Sequence, residues 1–288
     1  MQFDSTIIGM DLGVMRVNAT TRRLLAFAAA IDANDAPALD DDQPCGLAAL
    51  PSFCVALEWA FLQDPDRSRL LGIDEKNLSQ FLHVGQDSQF HASIRAGSDL
   101  RIEGSLVGLS SVRAGALLSM RIDIRESVVE RLLVTSWMTV LCRGASIVGA
   151  DRVIERPPAF PDAGRAPWKQ IEIPVPRGLA HIYAECTGIR NPIHTERRVA
   201  RQAGLPDIVL QGTATWAIAG QALARQFAAP GGRRLGRLMG EFRAPVTPGS
   251  FITLTHDATV EANGVVAFEM RSAGGGIAIA NGRAVFIE

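Results

Sequence analysis

The rhythm of apolar and polar positions changes several times along this chain. From Thr20 to Ile31 the apolar residues Leu24, Leu25, Phe27, Ala28 and Ile31 form one broad face, and Thr20 and Thr21 stand where an N-cap is needed, so the pattern predicts a helix. Residues 32–50 lose that period. They are acidic, small and proline-punctuated (Asp40-Asp41-Asp42, Pro37, Pro44) and read as a solvated loop. From about Gln89 to Leu141 the period falls to two, as in Arg101-Ile102-Glu103 and Met120-Arg121-Ile122-Asp123-Ile124, with Gly97, Gly104, Gly108 and Gly115 as punctuation. This predicts strands. Pro157-Pro158, Pro161, Pro167, Pro174 and Pro176 then read as a linker between two halves, 1–155 and 156–288. Beyond it, Thr213 to Phe227 puts Trp216, Ala219, Leu223 and Phe227 on one face, with alanine and glycine filling the rest. Such a helix can lie close against a sheet. Strands are expected over 234–244, 250–262, 264–272 and 275–287.

The two halves resemble each other. Phe90-His91-Ala92-Ser93-Ile94-Arg95-Ala96-Gly97-Ser98 runs beside Phe242-Arg243-Ala244-Pro245-Val246-Thr247-Pro248-Gly249-Ser250 with Phe, Ala, Gly and Ser in step, and Met120-Arg121 matches Met270-Arg271. Each half thus reads as an apolar helix followed by antiparallel strands, an α+β unit whose sheet curls around its helix. One such unit leaves a sheet edge free, and pairing with a second relieves it.

Composition narrows the function classes. With 288 residues, 47% hydrophobic and 20% charged, the chain can bury a sizeable core. A net charge of −1 lacks the basic excess of a nucleic-acid binder. Cys45, Cys54, Cys142 and Cys186 form no CxxC and no zinc-spaced cluster. They read as reduced, buried thiols, which with the absence of a basic N-terminal region around Asp4 and Asp11 points to a cytoplasmic protein without a signal peptide. No apolar run approaches the roughly 18 residues that span a bilayer. No metal or bound cofactor is implied, and pairing into a homodimer is left open.

The stretch that carries chemistry is Tyr183-Ala-Glu-Cys-Thr-Gly-Ile-Arg-Asn-Pro-Ile-His194, followed by Gly204-Leu-Pro-Asp-Ile-Val-Leu-Gln-Gly212. Asn191-Pro192 is a turn signal and His194 sits just past it. Gln211-Gly212-Thr213 opens the apolar helix, where unpaired N–H groups and the helix dipole favour negative charge. Gly212 lets a ligand carbonyl approach its N–H. A loop histidine beside such a helix start suits proton transfer with an oxyanion hole.

Tyr183, Thr187-Gly188, Asn191-Pro192-Ile193-His194, Gly204, Pro206 and Gly212 together resemble the hydratase motif of MaoC-like (R)-specific enoyl-CoA hydratases and 3-hydroxyacyl-CoA dehydratases, and the wider resemblance to their double hotdog members covers most of the chain. The resemblance implies a degenerate N-terminal hotdog that takes the acyl tail and an acyl-CoA thioester as substrate. It implies His194 as acid/base, Asn191 as its support and Gly212 as oxyanion donor; Tyr183, Ile189, Gln211 and Thr213 are the candidates to line the substrate, together with Arg190, which has no counterpart in the motif. Two positions depart from the motif: its Asp is Ile189, which neither takes a proton nor orients water, and the His before the glycine is Gln211.

Several residues carry a plainer alternative. Glu185, Glu196 and Asp207, the carboxylates near enough to replace the motif Asp, read as solvated. Asp32-Ala33-Asn34 echoes Asp-x-Asn but reads as a helix end. Tyr183 fits core packing as well as substrate contact, Arg190 the surface as well as an acyl carboxylate. Trp59 and Trp216 read as core and His91 as structural. Arg233, Arg234 and Arg237 read as a solvated face, with CoA phosphates as the alternative. Three functions follow: a hydratase/dehydratase working through His194, a non-catalytic acyl-CoA-binding paralogue or partner subunit, or another CoA-ester enzyme such as a thioesterase, against which stands the lack of a Ser or Cys nucleophile with a base.

Overall fold

The computed structural model describes residues 1–288 except 74–76, 162–166, 229–231 and 261. The first half gives β1 (Gln2–Asp4), β2 (Asp11–Asn18), α1 (Thr21–Ala30), α2 (Ala36–Leu39), α3 (Cys54–Leu62), α4 (Pro65–Leu70), β3 (Phe81–Phe90), β4 (Asp99–Val112), β5 (Gly115–Glu126), β6 (Leu132–Arg143) and the short β7 (Ser146–Val148) and β8 (Arg152–Val153). The second gives β9 (Trp168–Val175), α5 (Leu179–Thr187), α6 (Arg197–Gln202), α7 (Gly212–Phe227), β10 (Arg234–Phe242), β11 (Ser250–Asp257), β12 (Val265–Ser272) and β13 (Ile277–Ile287).

Apart from the short β1–β7 pair, the strands join one 11-stranded sheet in the order β2-β4-β5-β6-β3-β10-β13-β12-β11-β9, with β8 on β4. This order is a palindrome. Each half repeats the same pairing, and β3 meets β10 antiparallel at the centre. The matched segments occupy matched places: Phe90 and Phe242 close β3 and β10, and Met120 and Met270 lie in β5 and β12. Gly97 and Gly249 turn with φ of +84° and +86°, where a side chain would be strained. The architecture is the α+β double hotdog expected of the sequence. Among the described residues no helix is long and apolar enough to cross a membrane.

The helices that fill the two half-sheets are α3 and α7. In α7 the small residues admit close contact: a Cβ on Gly220 would meet Leu238 Cδ2 of β10 at 2.7 Å. In α3, Cys54, Val55, Ala56, Leu57, Glu58, Phe61 and Leu62 are all buried. The first half's central helix is therefore α3, and the 20–31 helix, capped by the Thr20 hydroxyl as expected, corresponds to α5 instead. Being apolar all round, α3 shows no helical stripe, and its period carries no signal. The continuous run of strands in the first half begins at Phe81, earlier than Gln89, and β1 and the edge strand β2 precede it where the sequence pattern predicted no strand. The proline linker is also shorter than expected. Pro174 lies inside β9, opposite Phe251 of β11, on the edge of the sheet where a missing N–H is tolerated.

The central seam corrects the reading of Arg237. It is buried, not solvated, because Asp87 of β3, the Pro158 carbonyl and the Phe160 ring close around its guanidinium. Its guanidinium donates to Asp87 of β3 through two bonds, Nε to Oδ1 at 2.8 Å and Nη2 to Oδ2 at 2.6 Å, and to the Pro158 carbonyl at 2.7 Å. The Phe160 ring lies over it at 3.6 Å. Burial pushes the Asp87 carboxyl up against the pull of Arg237. Cys54 and Cys142 are buried and Cys186 half-buried, all free thiols, whereas Cys45 is exposed.

Candidate active site

The motif is built from the end of α5 forward. Gly188 closes α5 in the left-handed region at φ +75°, its N–H on the Ala184 carbonyl. The Thr187 hydroxyl donates to the Tyr183 carbonyl at 2.6 Å and accepts from the Ile189 N–H at 3.2 Å, which fixes the chain leaving the helix. Asn191 caps the 3-10 turn Pro192–His194, its Oδ1 accepting from the Ile193 N–H at 3.3 Å. Asn191 thereby supports His194 through the backbone. Val209 then pairs back onto the turn, its N–H on the Ile193 carbonyl and its own carbonyl 2.8 Å from His194 Nδ1. A carbonyl only accepts, so Nδ1 carries the proton and Nε2 keeps its lone pair. Burial holds this imidazole neutral, with its pKa pushed down to about 4 against the Val209 bond.

Three residues beyond Val209, α7 begins. Gln211 is its N-cap, held by its Nε2 on the Ala180 carbonyl of α5 at 3.0 Å, while its Oε1 is buried without a partner. The Gln211 carbonyl accepts from Ala214 and Thr215, which leaves the N–H groups of Gly212 and Thr213 without an intrahelical acceptor at the start of a 16-residue helix. Gly212 presents a bare face to Phe242 of β10: a methyl there would stand 3.1 Å from Phe242 Cγ. Hence Gly212→Ala is expected to push the ring aside and lower kcat about tenfold, short of the roughly 10²–10³-fold that loss of an oxyanion donor costs. Steady-state kinetics beside a thermal melt checks this.

The remaining predicted site residues divide. Tyr183 is fully buried, tilted against Phe27 at 6.2 Å, and burial raises its pKa. Its hydroxyl faces that of Thr213, also buried, short of a well-formed hydrogen bond. Ile189 is 4% exposed and packed in the apolar core. Arg190 lies on the surface, paired with Glu185 at 3.1 Å, and leaves the site. Asp207 is likewise engaged by Arg197 at 2.8 Å, and Glu196 is exposed. Asp32 takes the left-handed turn after α1 and accepts from Asn34, a helix end as expected. His91 bonds Thr135, Trp216 is core and Trp59 is half-buried. Among the described residues no three His, Cys, Asp or Glu side chains gather as metal ligands.

Two polar features beside the seam escaped the sequence reading. Glu58 of α3 is fully buried, accepting from Ser136 Oγ at 2.5 Å and Gln86 Nε2 at 2.9 Å; burial raises its pKa while these bonds oppose the rise. A lone charge inside the apolar run Cys54-Val-Ala-Leu-Glu-Trp-Ala-Phe-Leu62 was its available signal. His83 of β3 packs edge-on against Phe242 at 4.9 Å and Trp59 at 5.7 Å, and burial lowers its pKa to about 4.

Comparison with known proteins adds to this geometry. Residues 160–271 match the model of the MaoC like domain and residues 6–127 that of the FAS1-like, dehydratase domain region. The chain is similar to 3-hydroxyacyl-thioester dehydratase Y of Mycobacterium tuberculosis, 29% identical over 182 residues, 62% of this chain and 61% of the relative. It is also similar to peroxisomal multifunctional enzyme type 2 of Drosophila melanogaster, 25% identical over 239 residues, 80% of this chain and 39% of the relative. The match thus spans less than two thirds of either relative's own length. In shape it resembles the crystal structure of a MaoC-like dehydratase from Phytophthora capsici, with a TM-score of 0.84 at 18% identity over 98% of this chain and 96% of the other. It also resembles a Mycobacterium tuberculosis protein described as a double hotdog, with a TM-score of 0.61 at 13% identity over 97% and 95%. These last two likenesses show the fold.

Proposed function

We propose, for a double hotdog chain built from a FAS1-like dehydratase region and a MaoC-like dehydratase domain, the reversible addition of water to a 2-enoyl-CoA thioester to give a 3-hydroxyacyl-CoA. The observation that carries it is His194: a neutral imidazole with Nε2 free, tied by Nδ1 to the carbonyl of Val209, a residue that itself stands three positions before the open start of α7. In this reading the Gly212 N–H holds the thioester oxygen, where negative charge gathers as water attacks. His194 Nε2 takes a proton from that water as its oxygen bonds to C3. The displaced π electrons pass through C2 to the thioester oxygen, and the same proton then returns to C2. Asn191 supports the turn, and Tyr183, Gln211, Thr213 and Ile189 shape the wall. One base serves both proton transfers, which allows turnover without the motif carboxylate.

A pH profile tests the assignment. Because burial places the His194 pKa at about 4, kcat/KM is expected to hold from pH 8 down to about 5 and decline below, with the acid limb near 4. A limb near the ordinary histidine value of about 6.5 would show that an exposed group controls the reaction.

A second reading is a non-catalytic acyl-CoA-binding protein. Ile189 favours it, since the position of the motif carboxylate is buried among apolar side chains. The two readings separate in a hydration assay on trans-2-enoyl-CoAs from short to bulky, followed at the enoyl-thioester absorbance. Turnover supports the enzyme; binding without turnover on the whole panel supports the binder.

A further inference from the structure

Alternate residues of β10 meet α7, as a strand's period of two requires. Leu238 lies against Gly220, Gly240 against Trp216, and Phe242 against Gly212. Three ring carbons of Phe242 stand 3.1, 3.3 and 3.4 Å from where a Gly212 Cβ would be, so the ring sits beside the first N–H of the helix. Phe242, Gly212 and His194 are all partly exposed. The ring is also braced from behind. His83 of β3 packs on it edge-on at 4.9 Å, and Trp59 of α3 packs on His83 at 5.7 Å. His83 in turn is held by the Gly85 carbonyl at 3.0 Å and by Gln86, and burial keeps it neutral with a pKa of about 4. A braced, uncharged stack of three rings thus runs from Gly212 across the seam into the first half.

Past that stack the first half is polar. Gln86, Ser88, Ser136 and Glu58 are each at most 1% exposed. They bond one another: Gln86 Nε2 donates to Glu58 Oε2 at 2.9 Å and to Ser88 Oγ at 2.8 Å, the two serine hydroxyls meet at 2.7 Å, and Ser136 donates to Glu58 Oε1 at 2.5 Å. An alkyl tail laid among them would break buried hydrogen bonds and leave their groups unpaired, which is costly away from water. Apolar tails bind where the walls are apolar. On the α5 side the start of α7 is closed as well, by Tyr183, Gln211 and Thr213, each at most 3% exposed.

We propose that Phe242 sets the acyl-chain length at this site and that the substrates are short-chain 2-enoyl-CoAs of the crotonyl type. With the thioester oxygen on the Gly212 N–H, the first carbons of the acyl group lie beside the Phe242 ring. A short chain ends there. A long one, entering the first half, meets the ring, then His83 and Trp59, and then the bonded polar block around Glu58. The proposal rests on the hydratase reading and narrows its substrate class.

The test compares kcat/KM for crotonyl-CoA and trans-2-decenoyl-CoA in the full chain, for wild type, Phe242→Ala and Phe242→Leu. Wild type is expected to prefer crotonyl-CoA by about tenfold or more, the low end of what a pocket wall imposes for one methylene. Phe242→Ala, which removes the ring, is expected to move that ratio toward decenoyl-CoA by about tenfold or more. Phe242→Leu keeps an apolar side chain against Gly212 and is expected to move it the same way by less. A merely structural role for Phe242 would lower both substrates in parallel and leave the ratio where it was. A thermal melt accompanies each variant; if Phe242→Ala does not fold, the ratio in Phe242→Leu decides. Wild type that turns over decenoyl-CoA as well as crotonyl-CoA, or a ratio unchanged in the folded variants, overturns the proposal while the hydratase reading stands. Wild type that hydrates neither substrate overturns the reading and this proposal with it.

Discussion

His194→Ala is expected to remove about 10²–10⁴-fold of kcat for enoyl-CoA hydration, the usual contribution of a positioned acid/base. The loss should fall on kcat more than on KM, because His194 handles the proton in flight and the thioester is held elsewhere, at the start of α7. The fold should be little disturbed. His194 is a side chain of a three-residue turn whose backbone is already fixed by the Asn191 cap and by Val209 on Ile193. His194→Gln is the informative companion, since its amide can keep the bond to Val209 without acting as a base. A Gln variant as inactive as the Ala variant places the effect on proton transfer. Wild-type turnover that survives both substitutions would remove His194 from the mechanism.

The second large effect is on stability. Arg237→Met should destabilise the chain by about 3–5 kcal/mol, because it leaves Asp87 ionisable, buried and unpaired at the centre of the sheet. For a chain of this size that is on the order of 10 °C in the melting midpoint. The pair itself is another matter. Its desolvation cancels much of its attraction, so the double variant Asp87→Leu/Arg237→Met should recover most of the loss. A double variant as unstable as the single one would mean that the Pro158 carbonyl and the Phe160 ring, rather than Asp87, depend on the guanidinium.

What the sequence disclosed follows from how local each signal is. The helix beginning at Gly212 was legible from its long run of small and apolar residues, although residues 213–220 are buried all round, and the last four strands from their spacing and turn residues, whereas β9 was not. The motif from Gly188 to His194 was legible because its turn and caps are made by neighbours in the chain. The Phe90–Ser98 and Phe242–Ser250 match exposed the repeat, since both segments end a seam strand and turn through a left-handed glycine. Features that depend on distant partners stayed hidden. Nothing near Arg237 announces Asp87, 150 positions away. Nothing near His83 announces Phe242 or Trp59, which other elements bring to it. The α3 helix was missed for a different reason: buried on every side, it has no polar face to mark its turn. Ile189 was visible as a departure from the motif, but only the packed structure shows Glu185 and Asp207 held by arginines and Glu196 turned to solvent.

The palindromic strand order has a consequence for how such a molecule can change. Two separate copies of one unit, meeting across a two-fold axis, would carry every substitution twice, once in each site. Here β3 and β10 meet as unlike strands of a single chain, so a replacement is felt once. Tyr183 and Thr213 face each other in one half, while the other half places Phe27 and the Glu58 cluster at its own centre. Covalent fusion thus frees one unit to become lining for its sibling's chemistry, and asymmetry becomes heritable within a symmetric frame.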